Sequence, residues 1–287
     1  MKVLVTGCEG QLGWDVLRRL EELAVESRGV DLRDFDLTDG PAVKAYVQEY
    51  APDVIVHCAA YTAVDKAESE PAVCAAVNGD GTMNVVRAAL SVGAKLVYIS
   101  TDYVFSGQGD RPWEPDDPYD PQNVYGLSKV QGEIAVRSLM KRYFLLRISW
   151  LYGLHGKNFV RTMRRLGREK SEIRVVDDQI GSPTYSVDVA RVICDLIGTE
   201  KFGIYHVANE GYISWADFAE MIMAGSGIDC RVIPVPSREY PTPARRPLNS
   251  RLSGAALREA GIEPLPPVRN ALDRFLRELE AEEAGDL

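Results

Sequence analysis

The chain has 287 residues, of which 46% are hydrophobic and 26% charged, the balance of a globular protein rather than a disordered or fibrous one. Its 33 basic and 42 acidic side chains give a net charge of −9, which argues against a nucleic-acid partner or an anionic membrane surface. No apolar run has the roughly 18 residues of a membrane-spanning helix, and the first residues lack a signal-peptide core, so we expect a cytoplasmic protein with no membrane association.

The first half of the chain alternates between short apolar runs and stretches with helical spacing. The apolar runs predict buried strands at residues 2–6, 53–57, 95–100 and 143–148. Helical patterns occupy about residues 11–23, 71–92 and 122–141. This alternation predicts an α/β fold with a Rossmann-type, doubly wound parallel sheet. The ligand crevice of such a sheet opens at the carboxyl ends of its strands.

The second half is less regular and reads as a separate unit. Short strands are predicted near 173–176 and 204–207, and helices at about 158–168, 184–198, 214–224, 252–260 and 268–280. The proline- and arginine-rich stretch 234–247 predicts an irregular loop, and the acidic tail 278–286 a solvated helix end. We expect a Rossmann-type domain at 1–150, joined by parts of 178–210, and a smaller, interleaved second domain at 151–287.

Cysteine and histidine usage gives no sign of a metal site. The five cysteines are scattered without C-x-x-C spacing, which is typical of reduced thiols in a cytosolic protein. The three histidines stand apart from one another and from any cysteine pair. We predict no metal, and we expect acid–base chemistry to use other side chains.

A glycine-rich turn joins the first predicted strand to the first helix, with glycines at Gly7, Gly10 and Gly13. Glycine lets the backbone approach a pyrophosphate, and the helix start supplies free N–H groups and a partial positive charge. The spacing is G-x-x-G-x-x-G rather than G-x-G-x-x-G, so a tight turn without a ligand is the alternative. Asp31, after a second strand-like run, is placed to accept hydrogen bonds from a ribose, which favours dinucleotide binding. Arg33 could instead pair with a 2′-phosphate, so we expect both NADH and NADPH to work.

Tyr125 and Lys129 are spaced four residues apart in a predicted helix, which places both on the same side. A nearby ammonium lowers the pKa of a phenol, and the lysine can also hydrogen-bond a nicotinamide ribose. The alternative is an exposed helical pair. Thr101 closes the strand that begins at Lys95, where it could donate to a substrate carbonyl oxygen. Asp102 either takes part in this site or caps the following turn.

Longer motifs resemble the extended short-chain dehydrogenase/reductase family, and within it the reductases of dTDP-4-dehydrorhamnose. The resemblance covers nearly the whole chain. It is carried by GCEGQLGW (7–14), CAAYTAVDKAE (58–68), VNGDGT (77–82), STDYVFSG (100–107), YGLSKVQGE (125–133), RISWLYG (147–153), DQIGSPTY (178–185) and RRPLNSRL (245–252).

The resemblance implies a set of functional residues. Those implied for catalysis are Thr101, Tyr125 and Lys129. Those implied along an NADPH or NADH cofactor are Gly7, Gly10, Gln11, Leu12, Asp31, Asp36, Leu37, Ala59 and Ala60, together with Tyr125 and Lys129. Those implied for the sugar nucleotide are Thr62, Val64, Tyr103 and Trp150.

Two further aromatic and basic positions have competing interpretations. Trp150 could be a core aromatic instead of a substrate contact. Arg246, with Arg245 in the RRP segment, could be a solvated surface charge, but a contact to a substrate diphosphate is at least as well supported. Asp15 and the acidic C-terminus could supply carboxylates to a metal at a subunit interface, yet we see no dedicated ligand cluster.

The resemblance implies NAD(P)H-dependent reduction of the 4-keto group of dTDP-4-dehydro-L-rhamnose to dTDP-L-rhamnose. Related 4,6-dehydratases carry a glutamate where this chain has Tyr103, which favours a reductase. The alternatives are a reductase of another nucleotide-linked keto-deoxysugar, or a non-catalytic regulatory subunit of the methionine adenosyltransferase type. The expected partners are a dTDP-linked sugar substrate and a second copy of the chain in a homodimer.

Overall fold

The computed structural model describes residues 1–285. In that part of the chain the strands are β1 (Lys2–Thr6), β2 (Glu26–Val30), β3 (Val54–His57), β4 (Lys95–Thr101), β5 (Tyr143–Ile148), β6 (Leu151–Tyr152), β7 (Glu172–Val176), β8 (Ile180–Gly181), β9 (Thr184–Tyr185), β10 (Gly203–His206), β11 (Ile213–Ser214), β12 (Arg231–Val235) and β13 (Asn249–Ser250). The α-helices are α1 (Gln11–Glu22), α2 (Gly40–Tyr50), α3 (Val64–Ala67), α4 (Pro71–Ala75), α5 (Thr82–Val92), α6 (Val124–Leu139), α7 (Phe159–Glu169), α8 (Ser186–Ile197), α9 (Trp215–Gly225), α10 (Ala255–Glu259) and α11 (Val268–Ala284). A π-helix spans Ala76–Gly81, and 3₁₀ turns span Asp102–Val104 and Ser237–Glu239.

Six parallel strands form the central sheet in the order β10-β5-β4-β3-β1-β2. The apolar sequences of β1, β3, β4 and β5 suit strands that are buried on both faces, whereas the edge strand β2 is polar and partly exposed. On one face α1 and α8 pack together, and on the other α2, α5 and α6 cover the sheet. The predicted doubly wound Rossmann-type fold is therefore confirmed.

The register aligns the carboxyl ends of the central strands. Thr6 pairs with His57, His57 pairs with Tyr98, and Thr101 pairs with Ile148. The loops that follow β1, β3, β4 and β5 thus leave the sheet along one edge. This is the edge where ligands bind in parallel α/β sheets.

A second hydrophobic core lies outside the central sheet. It gathers α7, α9 and α11 against the two-stranded sheet of β7 and β12. Two further small sheets, β11-β8-β13 and β6-β9, are separate from the central sheet. Strand β10, although late in the sequence, pairs with β5 in the central sheet.

Several predicted elements differ from the structure. The predicted helix 71–92 is split by the π-helix, and α2 was not predicted because its Gly40-Pro41 start reads as a turn. Asp39 caps α2 by accepting from the N–H of Ala42, and proline suits a first helical turn. Strand β12 enters the stretch predicted to be irregular, and Pro234 is tolerated because, within residues 1–285, β12 pairs only with β7.

The acidic tail was predicted to be a solvated helix end, but it also forms ion pairs. Helix α11 continues to Ala284, and its glutamates pair with arginines of other helices. Glu278 accepts from Arg18 at 2.6 Å, and Glu283 pairs with Arg164 at 2.8 Å. The sequence pattern missed this because both partners lie far away in the chain. Asp286 lies outside the described residues.

Three further observations concern residues 1–285. No helix there is long and apolar enough to cross a membrane. No group of three or more histidine, cysteine, aspartate or glutamate side chains in that range is arranged to hold a metal ion. All five cysteines are free thiols, three of them buried.

Candidate active site

A cavity of about 800 Å³ opens at the carboxyl ends of the central strands. It brings together every residue predicted for the cofactor and for catalysis, and all those predicted for the substrate except Arg246. The predicted residues that line it are Gly7, Gly10, Gln11, Leu12, Asp31, Asp36, Leu37, Ala59, Ala60, Thr62, Val64, Thr101, Tyr103, Tyr125, Lys129 and Trp150. Residues separated by more than a hundred positions thus line the same cavity, because the carboxyl ends of their strands are aligned.

The glycine-rich turn packs too tightly for side chains. Gly7 has a φ of +70°, and a Cβ there would lie 2.6 Å from the backbone nitrogen of Ala59. A Cβ on Gly13 would overlap the carbonyl oxygen of Gly7. Gly10 immediately precedes α1, so the first N–H groups of that helix face the cavity beside Gln11 and Leu12. This arrangement suits a phosphate group.

Asp31 and Asp36 mark the adenosine end that the sequence predicts. Asp31 accepts hydrogen bonds from the backbone N–H of Glu9, at 3.0 Å, and of Leu32, at 2.9 Å. Asp31 therefore links the end of β2 to the glycine turn. Arg33 is exposed and pairs with Glu9 at 3.0 Å. An anionic group of a ligand could take the place of Glu9 as the partner of Arg33. Asp36 accepts from the backbone and hydroxyl of Thr38, which lowers the pKa of its carboxyl group.

Helix α6 presents the tyrosine and lysine to the cavity. Asn123 caps the helix by accepting from the N–H of Gly126 at 2.7 Å. A Cβ on Gly126 would overlap the carbonyl oxygen of Tyr103, so this glycine allows α6 to approach the end of β4 closely. Lys129 is buried, with its Nζ 4.2 Å from the ring centroid of Tyr98. The predicted Tyr125–Lys129 helical pair is present, and it faces inward rather than to solvent.

The expected effect of the lysine on the phenol is not what the structure gives. Burial raises the pKa of Tyr125, and the charge of Asp102 adds to that rise, while a hydrogen bond with Thr101 opposes it. Burial lowers the pKa of Lys129 to about 7, and Glu133 opposes that shift. The prediction of a lowered phenol pKa was wrong for the protein without ligands, because removal of both groups from water outweighs their attraction.

Thr101 is held by its neighbours rather than left free. Its hydroxyl donates to Asp102 Oδ1 at 2.9 Å and accepts from the backbone N–H of Tyr103 at 3.2 Å. Asp102 is buried, and its other oxygen accepts from the hydroxyl of Ser250. Asp102 therefore takes part in the site as well as beginning the 3₁₀ turn. Burial raises the pKa of Asp102 to about 6.

Asn78 supports the site without lining the cavity, and the sequence reasoning missed it. It lies in the π-helix, and its amide group bonds to the backbone N–H of Tyr61 at 2.8 Å and to the hydroxyl of Ser128 at 2.9 Å. It thereby ties the loop after β3 to α6. The signal was the Asn-Gly-Asp-Gly run inside a predicted helix, since π-bulges recur at functional sites.

A buried ion pair beneath the site was also missed. Arg147 of β5 and Glu133 of α6 form two hydrogen bonds, of 2.7 and 2.9 Å, and both side chains are essentially inaccessible. Ser100 and Tyr119 donate to the same carboxylate at 2.5 and 2.7 Å. The cluster fixes α6 against β4 and β5, one helical turn below Lys129. Its signal in the sequence was a charged residue within an otherwise apolar strand.

Two stacked tryptophans form part of the cavity wall. Trp150, in the left-handed region with a φ of +50°, stacks on Trp215 with ring centroids 3.7 Å apart. Both line the cavity. Trp150 therefore borders the site instead of lying in a core. Trp215 was missed because nothing local distinguishes it from the apolar face of α9.

Arg246 lies behind the cavity wall rather than on it. Its guanidinium donates to the Tyr103 hydroxyl at 3.1 Å and to the Asp65 carboxylate at 2.6 Å. Arg245 is exposed and donates to Gln122 at 3.0 Å. Of the two arginines, only Arg246 contacts a residue that lines the cavity.

The comparisons with known proteins agree with this geometry. A protein-family model described as RmlD substrate binding domain matches residues 1–281. The chain belongs to the RmlD family. The whole site described above, from the glycine turn to Ser250, lies inside the matched range.

Relatives of this RmlD-family chain cover nearly its full length. The spore coat polysaccharide biosynthesis protein SpsK of Bacillus subtilis is 42% identical, over 96% of this chain and 97% of SpsK. A dTDP-4-dehydrorhamnose reductase of Streptomyces griseus is 42% identical, over 94% and 91% of the two chains. The crystal structure of dTDP-4-dehydrorhamnose reductase from Bacillus anthracis in complex with NADP is 43% identical, with a TM-score of 0.94, over 96% and 99%.

Proposed function

We propose that this RmlD-family protein reduces the 4-keto group of dTDP-4-dehydro-L-rhamnose to dTDP-L-rhamnose, with NADPH or NADH as the reductant. One observation carries the proposal: a hydroxyl, a phenol and an amine meet in the cavity that also contains the phosphate-binding turn. The named reductases at 42% and 43% identity support the same activity.

The residues present fit a nicotinamide dinucleotide. The glycine turn leaves the close approach that a pyrophosphate needs, beside the free N–H groups of α1. We assign the adenosine end to Asp31, Asp36 and Leu37, and the path toward the nicotinamide to Ala59 and Ala60. The cofactor, when bound, supplies the hydride for carbonyl reduction.

The protein's own groups handle the proton and hold the substrate. The high pKa of Tyr125 keeps its phenol protonated near neutral pH, so it can donate that proton to the 4-oxygen of the sugar. Lys129, in its charged form, would hydrogen-bond the ribose and favour the phenolate that remains. Thr101 lines the same cavity and would orient the Tyr125 phenol.

The sugar and nucleotide would occupy the other half of the cavity. We assign them to Thr62, Val64, Tyr103 and Trp150, with Trp215 stacked on Trp150 and also lining the cavity. An apolar wall of this kind suits the methyl group and ring face of a deoxysugar. Arg246, beside Tyr103, is the nearest candidate for a diphosphate contact.

We also propose a division of labour between two parts of the chain. Residues 1–150 with β10 and α8 would form the dinucleotide-binding domain, and the remainder of 151–287 the substrate-binding domain. The pairing of β10 with β5 and of α8 with α1 supports this division. A homodimer and a cytoplasmic location stay predictions, and the net charge of −9 supports the absence of a nucleic-acid partner.

The deciding experiment is turnover with freshly prepared dTDP-4-dehydro-L-rhamnose. NADPH and NADH oxidation should each require the keto-sugar, and the product should be dTDP-L-rhamnose by chromatography and mass spectrometry. Turnover of other nucleotide-linked keto-deoxysugars, but not of this one, would favour the alternative substrate. No turnover with any, together with capture of a methionine adenosyltransferase, would favour the regulatory subunit.

A further inference from the structure

The Thr101 hydroxyl has defined partners in the protein without ligands. It donates to Asp102 Oδ1, 2.9 Å away, and its oxygen accepts from the N–H of Tyr103 at 3.2 Å. These contacts hold the Thr101 hydroxyl at the end of β4, in the cavity that Tyr125 also lines.

The group that holds Thr101 is itself held from a distant part of the chain. Asp102 is only 2% exposed, and its second oxygen accepts from the hydroxyl of Ser250, 148 residues later. Ser250 is 1% exposed and lies on β13, where it pairs with Gly181 of β8. A Cβ on Gly181 would lie 2.9 Å from the Cβ of Ser250, so the backbone of β8 approaches Ser250 closely.

We propose that Ser250 and Asp102 are positioning residues that act on the reaction through Thr101. Ser250 fixes Asp102, and Asp102 holds the Thr101 hydroxyl in place in the cavity that it shares with the Tyr125 phenol. This inference rests on the proposed reductase function. It assigns a role to Ser250 of the RRPLNSRL segment, a buried residue that does not line the cavity.

The arrangement matters at the moment of proton transfer. When the Tyr125 proton moves to the substrate oxygen, the phenolate left behind needs a hydrogen-bond donor. Thr101 keeps its own proton and turns that proton from Asp102 to the phenolate. A hydroxyl already held at the correct distance makes this change without displacing any other group.

A double-mutant cycle separates this role from a merely structural one. In the otherwise unchanged protein, Ser250→Ala should lower kcat about tenfold, the order of effect of a misplaced catalytic group. The KM for the keto-sugar and the Kd for NADPH should change less than about twofold. In a Thr101→Val background the same Ser250→Ala change should lower kcat by less than about twofold, because the residue through which Ser250 acts is gone.

Ser253→Ala is the matched control. Ser253 lies three residues further along, is also buried, and caps the start of α10 by accepting from the N–H of Ala255 at 3.3 Å. It should leave kcat unchanged in both backgrounds. If Ser250→Ala is too unstable to assay, Asp102→Asn, of nearly the same shape, is measured in the same two backgrounds.

Two results would overturn the proposal. One is an unchanged kcat in Ser250→Ala; the other is an equal loss of kcat with and without Thr101, since additivity means that the residues act separately. Failure of the starting protein to turn over the keto-sugar would instead count against the proposed function. The two failures are therefore distinguishable.

Discussion

Tyr125 and Lys129 lie one turn apart on α6, yet burial moves their pKa values in opposite directions. The pKa of the phenol is raised, so the phenol stays protonated, while the pKa of the amine is lowered to about 7. Both shifts favour the uncharged form, as loss of water contact requires. In the protein without ligands the site thus holds a proton donor ready for use and an amine that is half charged near neutral pH.

Replacement of Tyr125 by phenylalanine tests the proton donor. We expect kcat to fall by about 10²- to 10⁴-fold, the usual range for loss of a general acid, with little change in NADPH affinity or melting temperature. Steady-state NADPH oxidation measures it. The control is Tyr205→Phe, which removes a buried phenol that donates to Lys201 O at the far edge of the sheet. Full activity in Tyr125→Phe would exclude this residue as the acid.

The low pKa of Lys129 predicts a pH-dependent cofactor affinity. Below about pH 7 the amine is already charged, but above it the amine must take up a proton to bind the ribose as an ammonium. The Kd for NADH should therefore rise with pH, with a limiting slope of about tenfold per pH unit. NADH is the better probe because it lacks a titrating 2′-phosphate.

Fluorescence titrations at several pH values provide the measurement. Lys129→Met should bind NADH more weakly, and its Kd should not change with pH. Lys95→Met should keep the slope, because the Lys95 amine bonds to the carbonyl oxygens of Ile197 and Thr199. A slope that survives in Lys129→Met would assign the titration to another group.

At the scale of single elements, α6 is the helix whose position matters most. Its first turn meets the Tyr103 carbonyl at Gly126, and its third is fixed by Glu133 to Arg147 of β5. Such a buried pair costs free energy to desolvate, and removal of one partner leaves an uncompensated charge. The pair therefore sets where Tyr125 and Lys129 lie more than it adds net stability.

Glu133→Gln tests this element. It should lower the free energy of unfolding by about 3–5 kcal/mol, because Arg147 would remain buried and charged without its partner. Urea unfolding measures the loss. Glu169→Gln, in the exposed i,i+4 pair with Arg165, should cost less than about 0.5 kcal/mol. Equal losses of unfolding free energy in the two variants would contradict the idea that the buried pair fixes α6 in place.

Helix α1 depends on a similar close approach at Gly13. Gly13→Ala should cost about 1–3 kcal/mol of stability and weaken NADPH binding, because the added methyl group must push the helix away from Gly7. Gly198→Ala is the control, since its Cβ would lie 3.8 Å from the nearest atom. Thermal unfolding and NADPH titration measure both effects. Unaltered NADPH binding in Gly13→Ala would show that the turn does not hold the phosphates.

At the scale of the whole molecule, the cavity is lined by residues from both halves of the chain, from Thr6 to Trp215. The protein carries a net charge of −9, so its overall field repels a diphosphate-bearing substrate. Recognition must then depend on short-range donors. Arg246 is placed for this beside Tyr103, although it is paired with Asp65 in the absence of substrate.

Arg246→Ala should raise the KM for the keto-sugar by roughly tenfold to a hundredfold, as for loss of a charge-assisted hydrogen bond. The Kd for NADPH should not change, because the glycine turn lies elsewhere in the cavity. Arg245→Ala is the matched control, since this exposed side chain contacts only Gln122 through its guanidinium in the described residues. Steady-state kinetics decide it. An unchanged KM in Arg246→Ala would mean that the arginine only positions Tyr103 and Asp65.

Local patterns in the sequence were sufficient for the parts of the site that depend on neighbouring residues. Apolar runs located the central strands, and glycine spacing located the turn after β1. The i,i+4 relation alone placed Tyr125 and Lys129 on one side of a helix. These features follow from backbone geometry within a few residues, so they need no knowledge of the remaining chain.

Only the tertiary structure decided the contacts between distant segments. The sequence predicts neither that β10 pairs with β5, nor that Trp215 stacks on Trp150, nor that Ser250 donates to Asp102. The pKa of Tyr125 was misjudged for the same reason, since its dominant cause is burial by the assembled protein. Burial and long-range hydrogen bonds are set by how the elements pack, and packing depends on the shape of every surface that meets there.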